Sequence, residues 1–511
     1  MKKIYIALII IVSTIFYSCT SSFDELNTNP DSPTKVKSSM LATNVILDMV
    51  KSASNWKNEF LVKRMFWGEQ MDDLQYNRFG KSSFSGGVVL NNAQKMVELS
   101  SPESLNAYTG LFYFLKGWYF WRMTMDVGDI PYTQALNIQE YPYPKYDSQK
   151  DVFLGILNDL EMAEMYFSKA ESNFEGDPFY NGDPNKWKKA TNVLRLKVLM
   201  SLQKRADDTP ELKVKETFAK IVSEDNLFES NDDNLQVVYS ELESNRNPYH
   251  KDYTRSIEVY AATSMLVNPL KEYKDYRLFY YLEPAQALTD PAIASPDKIL
   301  AANDWNAYIG LNVAGVFDEE KNMISSLMYS RPNDIYRLSY IGVPCIRLGY
   351  SDMNFILAEA AERGWINGNS LTYYEKGIKA SFDFVRTNVP SQYNKGMEIT
   401  DDYIQEYLTN PSVTYTDGDV KEEKLKKIWM QNYLAGYFHM ATDAYYEYRR
   451  TGYPEFPINP NTNLNTENTK IPMRWLYPDS ENNYNKEELK NALKNQWNGV
   501  DNVNNIMWIL K

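Results

Sequence analysis

A mostly α-helical fold, in which helix pairs form a scaffold and long irregular loops carry a ligand face, is what this sequence predicts. Three observations lead there. Apolar residues recur at three- and four-residue spacing through several long segments. Helix-capping residues stand at the starts of those segments. Between them run aperiodic stretches, rich in aromatic residues and much longer than ordinary connections. The chain has 511 residues, 43% hydrophobic and 24% charged, an ordinary globular composition with ample length for a core. No shift in composition divides it, so a single domain over 34–511 is the expectation.

The first element is a targeting segment. Lys2 and Lys3 precede an apolar run from Ile4 to Ile15, which ends in Phe16-Tyr17-Ser18-Cys19. The run is too short to span a bilayer and reads as a signal peptide over 1–18. A small residue directly before Cys19 resembles a bacterial lipobox, although Phe16 stands where leucine is commoner. Cys19 is then the acylated first residue of the mature chain. Residues 19–33 are polar, contain Pro30 and Pro33, and read as an extended tether.

Helical signals follow in order. From Thr34 on, Met40, Leu41, Val45, Leu47 and Val50 mark one face. A long helix over 105–126 is aromatic-rich, with Leu105, Tyr108, Leu111, Phe112, Leu115, Tyr119 and Met123 at helical spacing. Ser148-Gln149-Lys150-Asp151 reads as a capping box, opening a helix through Phe153, Ile156, Leu160 and Phe167. Asp183-Pro184 pairs a cap with a first-turn proline ahead of a helix through Leu194, Leu199 and Leu202. Ser351 is read as the cap of a helix that ends at Gly364, in the position where a left-handed glycine stops helices. Ser370 starts the next, and 422–448 reads as one long helix. Paired helices of this length suggest a tetratricopeptide-like stack, without a readable repeat of about 34 residues.

The irregular stretches are 66–104, 225–341, 388–421 and 451–485. Loops of this length are usually functional or carry small elements of their own. Two segments mix aromatic rings with planar polar groups, as sugar recognition requires: rings stack on apolar sugar faces while carboxylates, amides and guanidinium groups bond hydroxyls. In the first the candidate contacts are Trp67, Asp72, Tyr76 and Arg78. In the second they are Trp305 and Tyr308, beside Asp304 and Asn306. Tyr249, His250 and Tyr253 form a further mixture of this kind, whereas Asp275-Tyr276-Arg277 reads as structural.

Charge and chemistry narrow the function. The formal net charge is -13, and -15 once 1–18 and their two lysines are removed, which repels phosphate backbones and argues against nucleic acid. Two cysteines, Cys19 and Cys345, give no disulfide framework if Cys19 is acylated. Two histidines cannot build a His-rich metal site, so no metal or cofactor is expected. The nucleophile elbow, the zinc-helix motif, the phosphate loop and the dinucleotide fingerprint are missing from the sequence. Cys345 sits among Val343, Pro344 and Ile346 and reads as buried. A glycoside hydrolase needs only two carboxylates and is the enzymatic alternative.

Several segments, taken in order, resemble the SusD/RagB family of nutrient-binding outer-membrane lipoproteins. They include Leu26-Asn27-Thr28-Asn29-Pro30, Asp126-Val127-Gly128-Asp129-Ile130-Pro131-Tyr132, Tyr180-Asn181-Gly182-Asp183 with Trp187, and Phe355-Ile356-Leu357-Ala358-Glu359-Ala360. Arg449-Arg450-Thr451-Gly452 and Pro472-Met473-Arg474-Trp475 follow. The resemblance covers nearly the whole chain. It implies a SusD-like fold, a non-enzymatic role, and a shallow loop-built site facing a SusC-like TonB-dependent transporter. The implied cargo is an oligosaccharide, with a peptide as alternative, and the implied location is the cell surface, held on the outer membrane by the lipid on Cys19. The family motifs mark the scaffold: Arg195 is expected to pair with a carboxylate or carbonyl, and Glu359 to satisfy backbone groups of a neighbouring helix.

Overall fold

Apolar faces at helical spacing decide the architecture. The structure, a computed structural model, describes residues 36–51 and 57–511. Cys19 and the 19–33 tether lie outside the described residues. The scaffold helices are α1 (Ser38–Lys51), α2 (Gly86–Glu98), α3 (Leu105–Val127), α4 (Gln149–Lys169), α5 (Pro184–Ser201), α6 (Val214–Ser223), α7 (Tyr350–Glu362), α8 (Ser370–Asn388), α9 (Lys421–Ala435) and α10 (Ala441–Thr451). Most pack mainly on helices near in sequence: α3 on α2 and α4, α5 on α4 and α6, α7 on α8 and α9. The α5–α7 contact joins the earlier helices to the later ones. The fold is mostly α, as expected.

The pair α3–α4 shows why the helices sit so close. Gly110 faces Phe167 and Gly117 faces Leu160, so the two helices run antiparallel. A Cβ on Gly117 would meet Leu160 Cδ2 at 2.5 Å; only glycine permits this approach. α3 is buried on nearly all sides, with Trp118, Phe120 and Trp121 inside. The caps of α4 and α5 follow the sequence signals. Ser148 Oγ accepts the Asp151 N–H that opens α4, and Asp183 accepts that of Asn185 at α5.

Four expectations need correction. The 66–104 stretch contains α2. That helix opens on Gly86-Gly87 with no side-chain cap, so it lacks a start signal, yet it buries Val89, Leu90, Ala93 and Met96. The predicted 422–448 helix is two helices. Between them Gly436 O accepts Arg64 Nη1 at 2.7 Å, Phe438 turns to φ 57°, and its N–H donates to Glu59 Oε1 at 3.1 Å. The buried Glu59–Arg64 pair (3.2 Å) thus takes up backbone groups that a continuous helix would have bonded internally. α7 is capped at Gly349 rather than Ser351; the Ser351 hydroxyl donates instead to Gly377 O at 2.7 Å, tying α7 to α8. Glu359 serves side chains rather than backbone: it accepts from Arg450, Arg363 and Trp429. Burial alone would raise its pKa, but Arg450 and Arg363 overcome that and hold it at about 2.

The 225–341 stretch carries small elements of its own. β1 (Met65–Trp67) lies far earlier in the sequence and pairs into it. β2 (Ile130–Pro131) pairs with β3 (Tyr146–Asp147) elsewhere on the scaffold. Within or beside the stretch are β4 (Leu235–Val237), β5 (Tyr260–Ala262), β6 (Leu282–Glu283), β7 (Arg331–Pro332) and β8 (Cys345–Leu348). Among the described residues the strand pairings are antiparallel and two-stranded: β1 with β5, β4 with β8, β6 with β7. Cys345 is buried in β8, as read. One apolar core joins residues from Ala42 to Leu510. A small satellite core of Phe66, Tyr76, Ala261, Leu311, Ile324 and Tyr329 lies beneath the loop region.

Candidate ligand-binding cleft

β1 and β5 place the first candidate segment. Met65 faces Ala262 and Trp67 faces Tyr260 across the pair, and the Gly68 N–H still donates to Val259 O at 3.1 Å. The chain then swings outward at Glu69. It is folded back by Asp72, whose Oδ1 accepts the N–H groups of Leu74 (2.9 Å) and Gln75 (3.2 Å). Lys63 Nζ donates to Leu74 O, Gln75 O and Asn77 Oδ1 at 2.7–2.9 Å, and the Trp67 N–H donates to Gln75 Oε1 at 2.8 Å. The segment is a cross-braced loop, not a free tip.

Beside it opens a cleft of about 1180 Å³. Its wall comes from residues 68–69, 253–259 and 321–331, and its floor from Ile324, Leu327 and Tyr329. The satellite core therefore supports the cleft from below. Glu69, Arg255, Glu258, Lys321 and Arg331 bring charge to the wall. Tyr253, 48% exposed, stands in the wall and adjoins a ring cluster. Its neighbour Tyr340 (6.4 Å) stacks on His250 at 4.1 Å and carries the Arg246 guanidinium 4.0 Å above its ring. The Tyr340 hydroxyl donates to Asp252 at 2.7 Å. The size and openness of the cleft suit a small oligomer, and its mixture of rings and charges suits polar, ring-shaped groups.

The six residues singled out from the sequence fall into two groups. Trp67 is half-buried against Phe60 and Tyr260 and directly precedes the wall. Asp72 is buried in its loop-closing role, and burial raises its pKa. Tyr76 belongs to the satellite core; its hydroxyl donates to Gly315 O at 3.2 Å, and burial pushes its pKa up to about 12. Arg78 is exposed and paired with Asp73. Trp305 and Tyr308 sit together but in another cluster. Trp305 is half-buried against Phe279 (4.7 Å), with Lys274 Nζ 5.1 Å over its ring. Tyr308 is fully buried and donates to Ala302 O at 2.9 Å. None of the six lines the cleft itself.

Sequence reasoning missed the cleft's charged residues and Tyr340, and weighed Tyr253 only together with Tyr249 and His250, which are buried. The wall residues carry no common motif. They meet only because β5 joins β1 and β7 lies alongside β5.

The scaffold holds a second, much smaller space of about 60 Å³. It is bordered by Lys197, Asp352, Asp443, Glu447 and Arg450. Lys197 binds Asp352 at 2.7 Å and Asp443 at 2.9 Å. Such a volume holds water, not a sugar.

A helical scaffold that braces an open, loop-walled cleft with aromatic and charged edges defines a ligand-binding protein. A family model described as starch-binding and associating with the outer membrane matches residues 30–478, and the chain belongs to this SusD-like family. A SusD homologue from Bacteroides fragilis is 44% identical, with 93% of this chain and 100% of that chain covered and a TM-score of 0.88. An outer-membrane protein from Bacteroides vulgatus is 31% identical over 93% of this chain and 100% of its own, at a TM-score of 0.83. A SusD homologue from Flavobacterium johnsoniae, 21% identical over 92% of this chain and 97% of its own, shares the fold at a TM-score of 0.68. No curated protein matches the chain. The family consists of binding proteins rather than enzymes, associated with the outer membrane and with nutrient uptake there.

Proposed function

We propose that this chain captures an oligosaccharide at the cell surface and hands it to a SusC-like TonB-dependent transporter in the outer membrane, to which acylated Cys19 tethers it. The observation that carries the reading is the braced, open cleft of about 1180 Å³ with Tyr253 on its wall. A fixed wall limits the ordering cost of binding, and a shallow, partly polar site favours capture and release over tight retention. Trp67 and Trp305 keep exposed surface and act as further contacts, Arg78 is peripheral because it is already paired with Asp73, and Asp72, Tyr76 and Tyr308 hold the loops. The opposed charges on the wall support a second reading, a peptide whose termini meet both signs.

Calorimetric titration of the full chain with neutral and charged oligosaccharides and with short peptides tests the capture. Binding of a glycan that weakens in Tyr253→Ala and Trp305→Ala supports it; peptide binding alone overturns the glycan reading. Radiolabelled palmitate tests the tether. Label should be incorporated by the wild-type chain and lost in Cys19→Ser, and an unlabelled wild-type chain would remove the anchor from the scheme.

A further inference from the structure

The charges of the cleft are unevenly satisfied. On the acidic side both oxygens of Glu258 accept Arg337 Nη1 at 2.7 Å, which neutralises that carboxylate in place and leaves Glu69. On the basic side Arg255, Lys321 and Arg331 line the same space. Among the described residues none of the three forms a side-chain hydrogen bond or an ion pair. Lys321 has only the Phe317 ring, 5.8 Å from its Nζ. Arg331 has a buried Nε with no acceptor at all. A buried guanidinium nitrogen without an acceptor is costly, and this chain carries 67 acidic residues that could have supplied one. Elsewhere Arg277, Arg450 and Lys197 are ion-paired in the interior, and Arg64, Arg347, Arg449 and Arg474, which also keep a buried nitrogen without an acceptor, each bond protein through another nitrogen.

We propose that the cleft takes an anionic glycan, with Arg331 receiving an acidic group of the sugar and Lys321 and Arg255 as further cationic contacts beside the Tyr253 ring. This deepens the proposed function and rests on it. A guanidinium fork matches a planar carboxylate in two parallel hydrogen bonds, and charge-assisted bonds of this kind are the strong ones. A uronic-acid oligosaccharide supplies such a carboxylate at each ring together with an apolar sugar face. A sulfate ester offers the same charge with different geometry.

Calorimetry of the full chain with trigalacturonate, a sulfated carrageenan oligosaccharide, maltotriose and triglutamate tests this. Trigalacturonate should bind about tenfold or more tightly than maltotriose and weaken as salt is raised. Arg331→Gln should lose about tenfold, with Arg331→Lys recovering part, because only charge and not the fork is restored. Lys321→Met, at an exposed position, gives the same readout should Arg331→Gln fail to fold. Preference for the sulfated sugar with the same Arg331 dependence supports the anionic class and assigns the group as sulfate. Maltotriose binding as tightly as trigalacturonate, unchanged in Arg331→Gln and Lys321→Met, overturns the anionic inference and leaves oligosaccharide capture standing. Binding of triglutamate alone, or of none of the four, overturns both.

Discussion

In the scaffold Arg277 is fully buried and spends its guanidinium on Asp275, Ser381 and Gln431, with Tyr407 donating to the same carboxylate at 2.8 Å. In the cleft Arg331 finds no acceptor for its side chain among the described residues, and its Nε is buried. The two arginines differ in what the fold asks of them. A scaffold charge removed from water must be answered by the protein itself, or it would destabilise the folded state. A cleft charge can be left for a ligand, because part of it still faces solvent. Among the arginines with a buried, unpartnered nitrogen, those of the frame still bond protein through another nitrogen, whereas Arg331 does not, and that difference marks the site here.

The largest expected effect breaks a frame pair. Asp275→Ala strands Arg277 in the interior and should cost about 3–5 kcal/mol, measured by denaturant unfolding. Arg331→Gln should leave the unfolding midpoint in place, since no protein partner is lost. If the two variants are destabilised equally, the division between frame and site is wrong.

The next effect is pH-dependent and lies wholly in the frame. Glu359 is held at about 2, below its ordinary 4.5. Its contribution is present above pH 4.5 and is lost as pH falls towards 2, by about 3 kcal/mol. Glu447 behaves oppositely. Burial, with Arg450 opposing it, raises Glu447 to about 7, and Asn432 Nδ2 donates to it at 2.9 Å. Its contribution is complete below pH 4.5 and is lost as pH rises to 7, again by about 3 kcal/mol. Stability measured across pH 4.5–7 should therefore carry a downward component from Glu447 that disappears in Glu447→Gln. An identical slope in the variant would mean that Glu447 is ionised throughout.

A smaller effect sharpens the site. Tyr253→Ala removes a ring that is 48% exposed and anchors no core, so stability should hold. Loss of one stacking partner corresponds to about 0.5–1.5 kcal/mol, a several-fold fall in glycan affinity by calorimetry. A fall in stability instead would make Tyr253 part of the frame.

The same contrast explains what could be read from the sequence. α3, α4, α5 and α8 were legible because each buries a face at helical spacing, and α4 and α5 open on a side-chain cap. α2 was not, because Gly86-Gly87 conceals its start. The break at Gly436 was not, because its cause, Glu59 with Arg64, lies far away in sequence. The cleft was least legible. Its wall is assembled by strands of two or three residues, too short for alternation to show. Tyr76 and Tyr308 carry the polar neighbours of surface residues, yet each satisfies its hydroxyl on an internal carbonyl, which composition does not reveal.

The smallest expected effect concerns Arg78, where frame and site meet. Its guanidinium pairs with Asp73, but both side chains are more than half exposed, so water competes for every bond they make. Arg78→Ala should leave the unfolding midpoint where it is. Its effect on glycan affinity should also be slight, because Arg78 stands outside the cleft wall and already has a partner, unlike Arg331. A loss of affinity as large as that of Arg331→Gln would show that an exposed, paired cation can serve the ligand as well as an unpaired one. Pairing would then no longer separate the two regions, and the site would have to extend from the cleft onto the 72–79 loop.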